Sequence, residues 1–324
     1  MDVVSELLKV VKLDSAIFFN CEASSPWCYR APESACAARL LAQTGRHVII
    51  FHLLLQGRAY VQLEGGERTS VAEGEIVTLP HGQAHLLGNG EGAALIDGER
   101  ALPKLLARGL EVIKLGGGGD RTLFVCGFLS CDPLLSKGFL QALPPLFKVN
   151  IRDDPSGRWL EDSLRFAVAE AVAAREGVNA MLAKLSEAVF IETVRRYIRS
   201  LPPTEVGWLA GVRDPAVGQV LSLFHERPAH PWNIAKLAKA VGVSRSVLAE
   251  RFRHYLGQSP IAYLTRWRLR LGARALTSGS RSVAEIASEV GYESEASFNR
   301  AFKRHFDLPP ARYRKNRTSG AHPT

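Results

Sequence analysis

The chain has 324 residues, about twice the usual single-domain length, so more than one domain is expected. Its composition, 46% hydrophobic and 23% charged, is that of a folded globular protein, and its net charge is +9. Two classes are excluded: the most apolar stretch, Val48 to Leu55, is too short to span a membrane, and five cysteines in so long a chain do not make a secreted disulfide framework.

The N-terminus places Asp2 and Glu6 among Val3, Val4, Leu7 and Leu8, an amphipathic helical turn and not the basic start of a signal peptide. A cytoplasmic protein is therefore expected. From residue 46 to 87, short apolar runs such as HVIIFHLLL, AYVQLEG and IVTLP alternate with turns at Gly57, Gly65-Gly66, Gly74 and Gly82. That spacing predicts a small all-β sandwich or barrel. Residues 88–119 are glycine-rich and end in Gly116 to Gly119, which lacks the Lys-Ser/Thr of a phosphate loop and reads as a flexible connection before a strand at Thr122 to Leu129. Two helices are predicted at about 158–176 and 179–200, either covering the β domain or pairing with a second chain. Leu201-Pro202-Pro203-Thr204 begins a linker, and Asp214-Pro215 starts a helix with a capping side chain and a proline in the first turn.

The charge is not spread evenly. Residues 214–324 hold 18 Lys or Arg and 8 Asp or Glu, a net of +10, and the preceding residues are nearly neutral at −1. The same basic segment repeats itself. Ile234, Leu237, Ala238, Val241 and Gly242 recur 49 residues later as Val283, Ile286, Ala287, Val290 and Gly291. Ser244, Leu248 and Phe252 recur after 50 residues as Ser294, Phe298 and Phe302. Each unit reads as a helix, a glycine-centred turn, a serine cap and a second helix. The small alanines let the helices cross closely, and the Leu248/Phe252 and Phe298/Phe302 pairs pin one face of each second helix inward.

The opposite faces are then free to enter a major groove: Arg245, Ser246, Ala249, Glu250 and Arg253 in one unit, Glu295, Ala296, Asn299, Arg300 and Lys303 in the other. Arg245, Asn299 and Arg300 are the best base readers, with Ser246 and Glu295 supplementary, while Arg253, Arg266 and Lys303 suit phosphate. Between the units, Ser259 to Ser278 reads as one helix, about 30 Å long, close to one turn of DNA. Its Arg266, Arg268, Arg270 and Arg274 add charge suited to phosphate contact.

PIAYLTRWRLRLGARAL (260–276) and VAEIASEVGYESEASFNRAFKRHFDLPPARYR (283–314) resemble the DNA-binding region of AraC/XylS-type transcription regulators. The resemblance implies two helix-turn-helix units on a linker helix, usually activating transcription beside RNA polymerase. It also implies an N-terminal domain that turns a signal into altered DNA binding. GEIVTLPHGQAHLLGN (74–89), with Gly74, Pro80, Gly82, His85 and Asn89, fits the second motif of a cupin and resembles the sensor of one branch of that family.

Metal-binding cupins carry a His-x-His pair in their first motif, whereas here His52 is followed by Leu53-Leu54. A reduced site for zinc or another divalent metal would use His52, His85 and Cys126. The alternative is that these are ordinary core and strand-end residues. His47 and His81 read as surface residues. Cys21 and Cys126-Gly127 resemble the reactive-chlorine-responsive branch of the family, which implies that these cysteines are oxidised to trigger activation. Cys28, Cys36 and Cys131 have neither zinc-knuckle nor CxxC spacing and read as unreactive thiols.

The expected fold is multidomain α+β: a cupin-like β-barrel sensor (1–145), a helical connector and dimerisation region (146–204), and an all-α domain with two helix-turn-helix units (205–324). The expected function is a sequence-specific regulator of double-stranded promoter DNA, an activator and homodimer that contacts RNA polymerase and responds to a small molecule or oxidant. Two rivals remain at this point: a cupin-type metal-dependent enzyme fused to a DNA-binding domain, and a constitutive DNA-binding protein with an inert β domain. No catalytic residue arrangement is present elsewhere, so no enzymatic activity and no required cofactor are expected.

Overall fold

The computed structural model describes residues 15–43, 46–107, 113–133, 139–173, 176–202 and 204–318. The amphipathic turn expected near residues 2–8 lies outside them. The chain divides into two compact units. One contains the strands and runs to Ser200, and the other begins at Leu201 and takes in residues 139–142.

In the first unit, β1 (Ser15–Ser24), β2 (Trp27–Ala31) and helix α1 (Ser34–Leu40) precede β3 (His47–Gln56), β4 (Arg58–Leu63), β5 (Thr69–Ala72), β6 (Glu75–Leu79) and β7 (His85–Asn89). Then come β8 (Leu95–Asp97), α2 (Gly98–Leu106), β9 (Ile113–Gly116), β10 (Arg121–Cys131) and β11 (Phe147–Asn150). They form a six-stranded sheet, β11-β6-β3-β10-β1-β9, and a five-stranded sheet, β5-β4-β7-β2-β8. One core lies between the sheets, with Phe19, Ile50, Leu54, Val77 and Phe124 from the first facing Trp27, Val61, Val71 and Leu87 from the second. This is the expected cupin-like β domain, though β1, β2, β8, β9, β11, α1 and α2 were not anticipated.

The glycine run is not a loose connection. Gly117 and Gly119 donate backbone N–H bonds to the carbonyls of Ser24 and Ser25 (2.9 and 2.8 Å), and Gly118 donates to the Ser24 hydroxyl at 3.0 Å. The run is a hydrogen-bonded turn against the β1–β2 corner, which only a backbone without side chains can approach so closely.

Two helices follow, α3 (Pro155–Val172) and α4 (Val178–Ser200). The separate connector expected over 146–204 is not a third unit: β11 pairs with β6, and both helices belong with the sheets. The cause is the hydrophobic pattern of the six-stranded sheet, in which residues 48–55 of β3 and 124–131 of β10 are buried on both faces. A sheet with two apolar faces needs two covers. α4 supplies the outer one, packing on β1, β10 and β11, with the Tyr197 and Phe147 rings 4.5 Å apart. Buried Glu161 of α3 adds a polar lock, accepting from Arg152 at 2.6 Å and Arg165 at 2.8 Å while both arginines donate to the Leu55 carbonyl.

The second unit holds α5 (Trp208–Arg213), α6 (Pro215–Glu226), α7 (Ile234–Ala240), α8 (Arg245–Leu256), α9 (Pro260–Thr277), α10 (Val283–Glu289), α11 (Glu295–Phe306) and α12 (Pro310–Thr318). Its start signals are all realised. Asp214, Ser244, Ser259 and Ser294 accept backbone N–H bonds at the starts of α6, α8, α9 and α11, and Ser282 and Glu285 cap α10 reciprocally. Each hairpin has its own core: Leu237, Leu248 and Phe252 in the first, Ile286, Phe298 and Phe302 in the second. α9 joins them, giving Leu264 to the first core and Leu269, Ala273 and Leu276 to the second.

Candidate DNA interface and buried thiol–imidazole site

The two second helices, α8 and α11, turn their apolar side chains fully inward: Leu248, Phe252, Phe298 and Phe302 are all 0% exposed. The opposite faces lie open. Arg245, Ser246, Glu250 and Arg253 are exposed on α8, as are Glu295, Ala296, Arg300 and Lys303 on α11, while Ala249 and Asn299 are half-buried. The Asn299 amide lies 3.4 Å from the Glu295 carboxylate, so the two form one polar group. Arg266 is exposed on α9.

The other α9 arginines differ from expectation. Arg268 does not face phosphate. Its guanidinium donates to the carbonyls of Pro228 at 2.7 Å, His230 at 2.8 Å and Gly291 at 3.0 Å. The first two carbonyls precede the first hairpin and the third lies in the turn of the second, so one side chain links both units. Gly291 makes the approach possible: its φ is +88°, and a Cβ there would lie 2.6 Å from the Ala229 backbone. The sequence showed a turn glycine at this position; the neighbour that also demands it was not legible.

In the β unit, register brings distant residues together. His52 of β3 pairs with Cys126 of β10, so both side chains leave the sheet on the same face. His85, at the start of β7, reaches them from the opposite sheet. The turn before it closes through Gly82, whose φ is +59° and where a Cβ would sit 2.4 Å from the Val48 carbonyl oxygen. This is the physical content of the glycine in the motif.

His52 Nδ1 lies 2.7 Å from Cys126 Sγ, and His52 Nε2 lies 2.7 Å from His85 Nε2. The partners set the proton positions. The Gln83 carbonyl can only accept, so His85 Nδ1, 2.8 Å away, carries a hydrogen. Neutral His85 then accepts at Nε2, His52 donates from Nε2, and His52 Nδ1 accepts the Cys126 S–H. Burial keeps both rings neutral: it pushes His85 down to about 4 and, with His85 beside it, pushes His52 well below the usual histidine range. Burial, with the Cys21 thiol next to it, pushes the Cys126 thiol up.

This line of donors differs from a metal cage. His52 stands between Cys126 and His85 and uses both nitrogens, so the three do not converge on one point, and among the described residues no group of three or more His, Cys, Asp or Glu is placed to hold a metal ion. His47 and His81 bond to the carbonyls of Pro80 and Leu143. Of the five cysteines, Cys21, Cys36, Cys126 and Cys131 are buried and Cys28 is half-buried. Cys21 and Cys126 share a face of the β1–β10 pair but sit diagonally, because Cys126 is opposite Phe19 and Cys21 opposite Phe124. They border a cavity of about 50 Å³ with His52, Tyr29 and Phe128.

Two family models match the chain: a cupin domain over residues 2–199 and a helix-turn-helix domain over residues 237–316. The chain is 31% identical to an AraC-like transcription regulator of Streptomyces lividans over 98% of this chain and 99% of that protein. It is 30% identical to the RCS-specific HTH-type transcriptional activator RclR of Escherichia coli, over 97% of this chain and 98% of that one. It is 29% identical to the HTH-type transcriptional regulator AlkR of Acinetobacter baylyi, over 97% and 99%. The cupin match runs through α3 and α4, in agreement with the unit boundary at Ser200. No described helix is long and apolar enough to cross a membrane.

Proposed function

The chain belongs to the AraC-type transcription regulators that carry an N-terminal cupin domain, and from that premise we propose that its DNA binding is switched by oxidation of Cys126. Binding DNA to regulate transcription comes with the family. The signal, the sense of regulation and the residue roles are the proposal.

One arrangement carries the reading: a thiol hydrogen-bonded to a neutral imidazole and bordering a small cavity of about 50 Å³. Such a space admits a water-sized molecule and is far below the several hundred Å³ of an ordinary metabolite pocket. The lining includes Phe19, Phe124, Phe128 and Leu115, so a neutral oxidant such as hypochlorous acid enters more readily than an ion. The Cys126 sulfur attacks the chlorine of hypochlorous acid while His52 Nδ1 takes the thiol proton, which offsets the raised resting pKa. The S–Cl bond forms, the Cl–O bond breaks, and the departing hydroxide recovers that proton and leaves as water. Cys21 is the resolving thiol. Its thiol lies beside that of Cys126, so its sulfur displaces chloride, HCl leaves, and the new disulfide ties β1 to β10 across diagonal positions. The Escherichia coli relative RclR is an RCS-specific transcriptional activator, which agrees with this direction.

The test is promoter binding by the full-length protein before and after one equivalent of hypochlorous acid, with the modified cysteine located by mass spectrometry. Wild type is expected to change affinity and Cys126→Ser to stay constant. Stoichiometric oxidation of Cys126 with unaltered promoter affinity would overturn the proposal.

On the DNA side, Arg245, Asn299 and Arg300 read bases, supported by Ser246 and Glu295, and Arg253, Arg266 and Lys303 hold phosphate. Arg300→Ala is expected to weaken promoter binding by about 1–3 kcal/mol and to relax preference at one base pair. An equal loss on every sequence would make Arg300 a phosphate contact instead. Activation through RNA polymerase and a homodimer are part of the same reading. Trp159 and Phe166, 63% and 59% exposed and two turns apart on α3, are the surface for the dimer.

A further inference from the structure

The DNA-binding unit contains a second, larger cavity of about 380 Å³, a volume suited to a small organic ligand. Its lining includes Trp208, Gln258, Tyr263, Arg266, Trp267 and Arg270 and has no acidic side chain. The two arginines are four residues apart on α9, so they stand one above the other on one face.

Arg270 is half-buried and has no hydrogen-bond or ion-pair partner among the described residues. A guanidinium withdrawn from water without a counter-charge is costly, and the positive Arg266 beside it adds to the cost. Two further groups are unsatisfied. Trp267 is 3% exposed and its indole N–H has no acceptor, and the buried Gln258 Oε1 has no donor. Native proteins seldom leave several polar groups unpaired around one cavity unless something else pairs with them.

The walls are built in advance. Trp208 donates its N–H to the Tyr263 hydroxyl at 3.2 Å, and that hydroxyl also bonds His225 Nε2 at 2.9 Å. The His225 ring lies 4.5 Å from that of Trp267. The aromatic surfaces are therefore held in place before any ligand arrives.

We propose that this cavity is an effector site for a small planar aromatic carboxylate that carries an N–H or O–H donor. The carboxylate pairs with Arg270 and Arg266 and accepts from the Trp267 N–H. The ring lies against the aromatic walls, and the ligand's donor bonds Gln258 Oε1. The site is independent of the thiol chemistry in the β unit: each element it uses lies in the DNA-binding unit.

Calorimetric titration of the full-length protein with indole-3-carboxylate, which carries all three features, tests the assignment. Saturable binding at one site per chain is expected. It should weaken at least about tenfold in Arg270→Gln, be partly kept in Arg270→Lys, and weaken as much for indole-3-carboxamide, which keeps the ring and N–H but not the charge. The amide comparison uses wild-type protein and does not depend on how a variant folds. Absence of saturable binding by wild type, or equal binding of acid and amide, would overturn the proposal, as would undiminished binding by Arg270→Gln.

Discussion

Arg268→Ala is expected to uncouple the two DNA-binding hairpins while leaving each one folded. The side chain donates to three carbonyls, two before the first hairpin and one in the turn of the second, and no other described side chain bonds all three. Each hairpin keeps its own core, Leu248 with Phe252 and Phe298 with Phe302, so local helix content should persist. What is lost is the fixed relation between α8 and α11. Two reading heads held at one spacing bind as a bivalent ligand, and a loose connection lowers the effective concentration of the second. Affinity for a promoter carrying both half-sites should fall by about 100-fold, while affinity for a single half-site should change little. Binding to both fragments, measured at one salt concentration, checks this; equal losses on the two would assign Arg268 to phosphate after all. Gly291→Ala should act in the same direction, since its Cβ would push the Ala229 backbone away from the turn. Arg268→Lys should rescue poorly, because an ammonium lacks the planar fork that meets several carbonyls at once.

Acid should destabilise both units through their buried histidines. His85 is held neutral by burial down to about pH 4, and His225, on α6 and 7% exposed, down to about pH 3. Unfolded histidine takes up its proton near pH 6.5. Between those values the unfolded chain binds more protons than the folded one, so stability falls as pH falls through this window and is unaffected by these groups above it. For His85 alone the loss is about 2 kcal/mol at pH 5 and about 3 kcal/mol at pH 4. Denaturant unfolding of the whole chain at pH 7.5 and pH 5, followed by circular dichroism, measures it. His225→Phe should remove the acid sensitivity of the DNA-binding unit and leave that of the β unit. Identical unfolding midpoints for wild type at the two pH values would show that neither ring is held neutral.

Much of the DNA-binding unit is written locally. The cap residues Asp214, Ser244, Ser259 and Ser294 act within three residues of themselves, and all four bond as expected. Gly242 and Gly291 both adopt positive φ, and Ala238 and Ala287 are both buried at helix crossings. A motif repeated at a spacing of 49 or 50 residues states each of these constraints twice. Arg268 and Arg270 were not legible in the same way. Arg266, Arg268 and Arg270 alternate along one helix, and which of them meets solvent, carbonyl oxygen or a cavity depends on what packs against α9.

The β unit divides along the same line. Alternating apolar runs and turn glycines marked β3, β4, β6 and β10; β1 and β2, although separated by Ser25-Pro26, carry no comparable apolar run to mark them as strands. The helices α3 and α4 could have covered the sheet or paired with another chain, and the doubly buried β10, on which α4 packs, decided for the sheet. His52, His85 and Cys126 were named individually as a metal set; the order Cys126–His52–His85, with His52 in the middle, is a product of strand register and of two sheets facing each other.

Sequence alone determined the family, the two reading helices and the asymmetric charge, because caps, turns and helical periodicity act over a few residues. Only the tertiary structure decided which polar groups meet. Cys126 and His52 are 74 residues apart, and Arg268 and Pro228 are 40 apart. At such separations the partner of a side chain is chosen by the packing of whole elements, which no local pattern encodes.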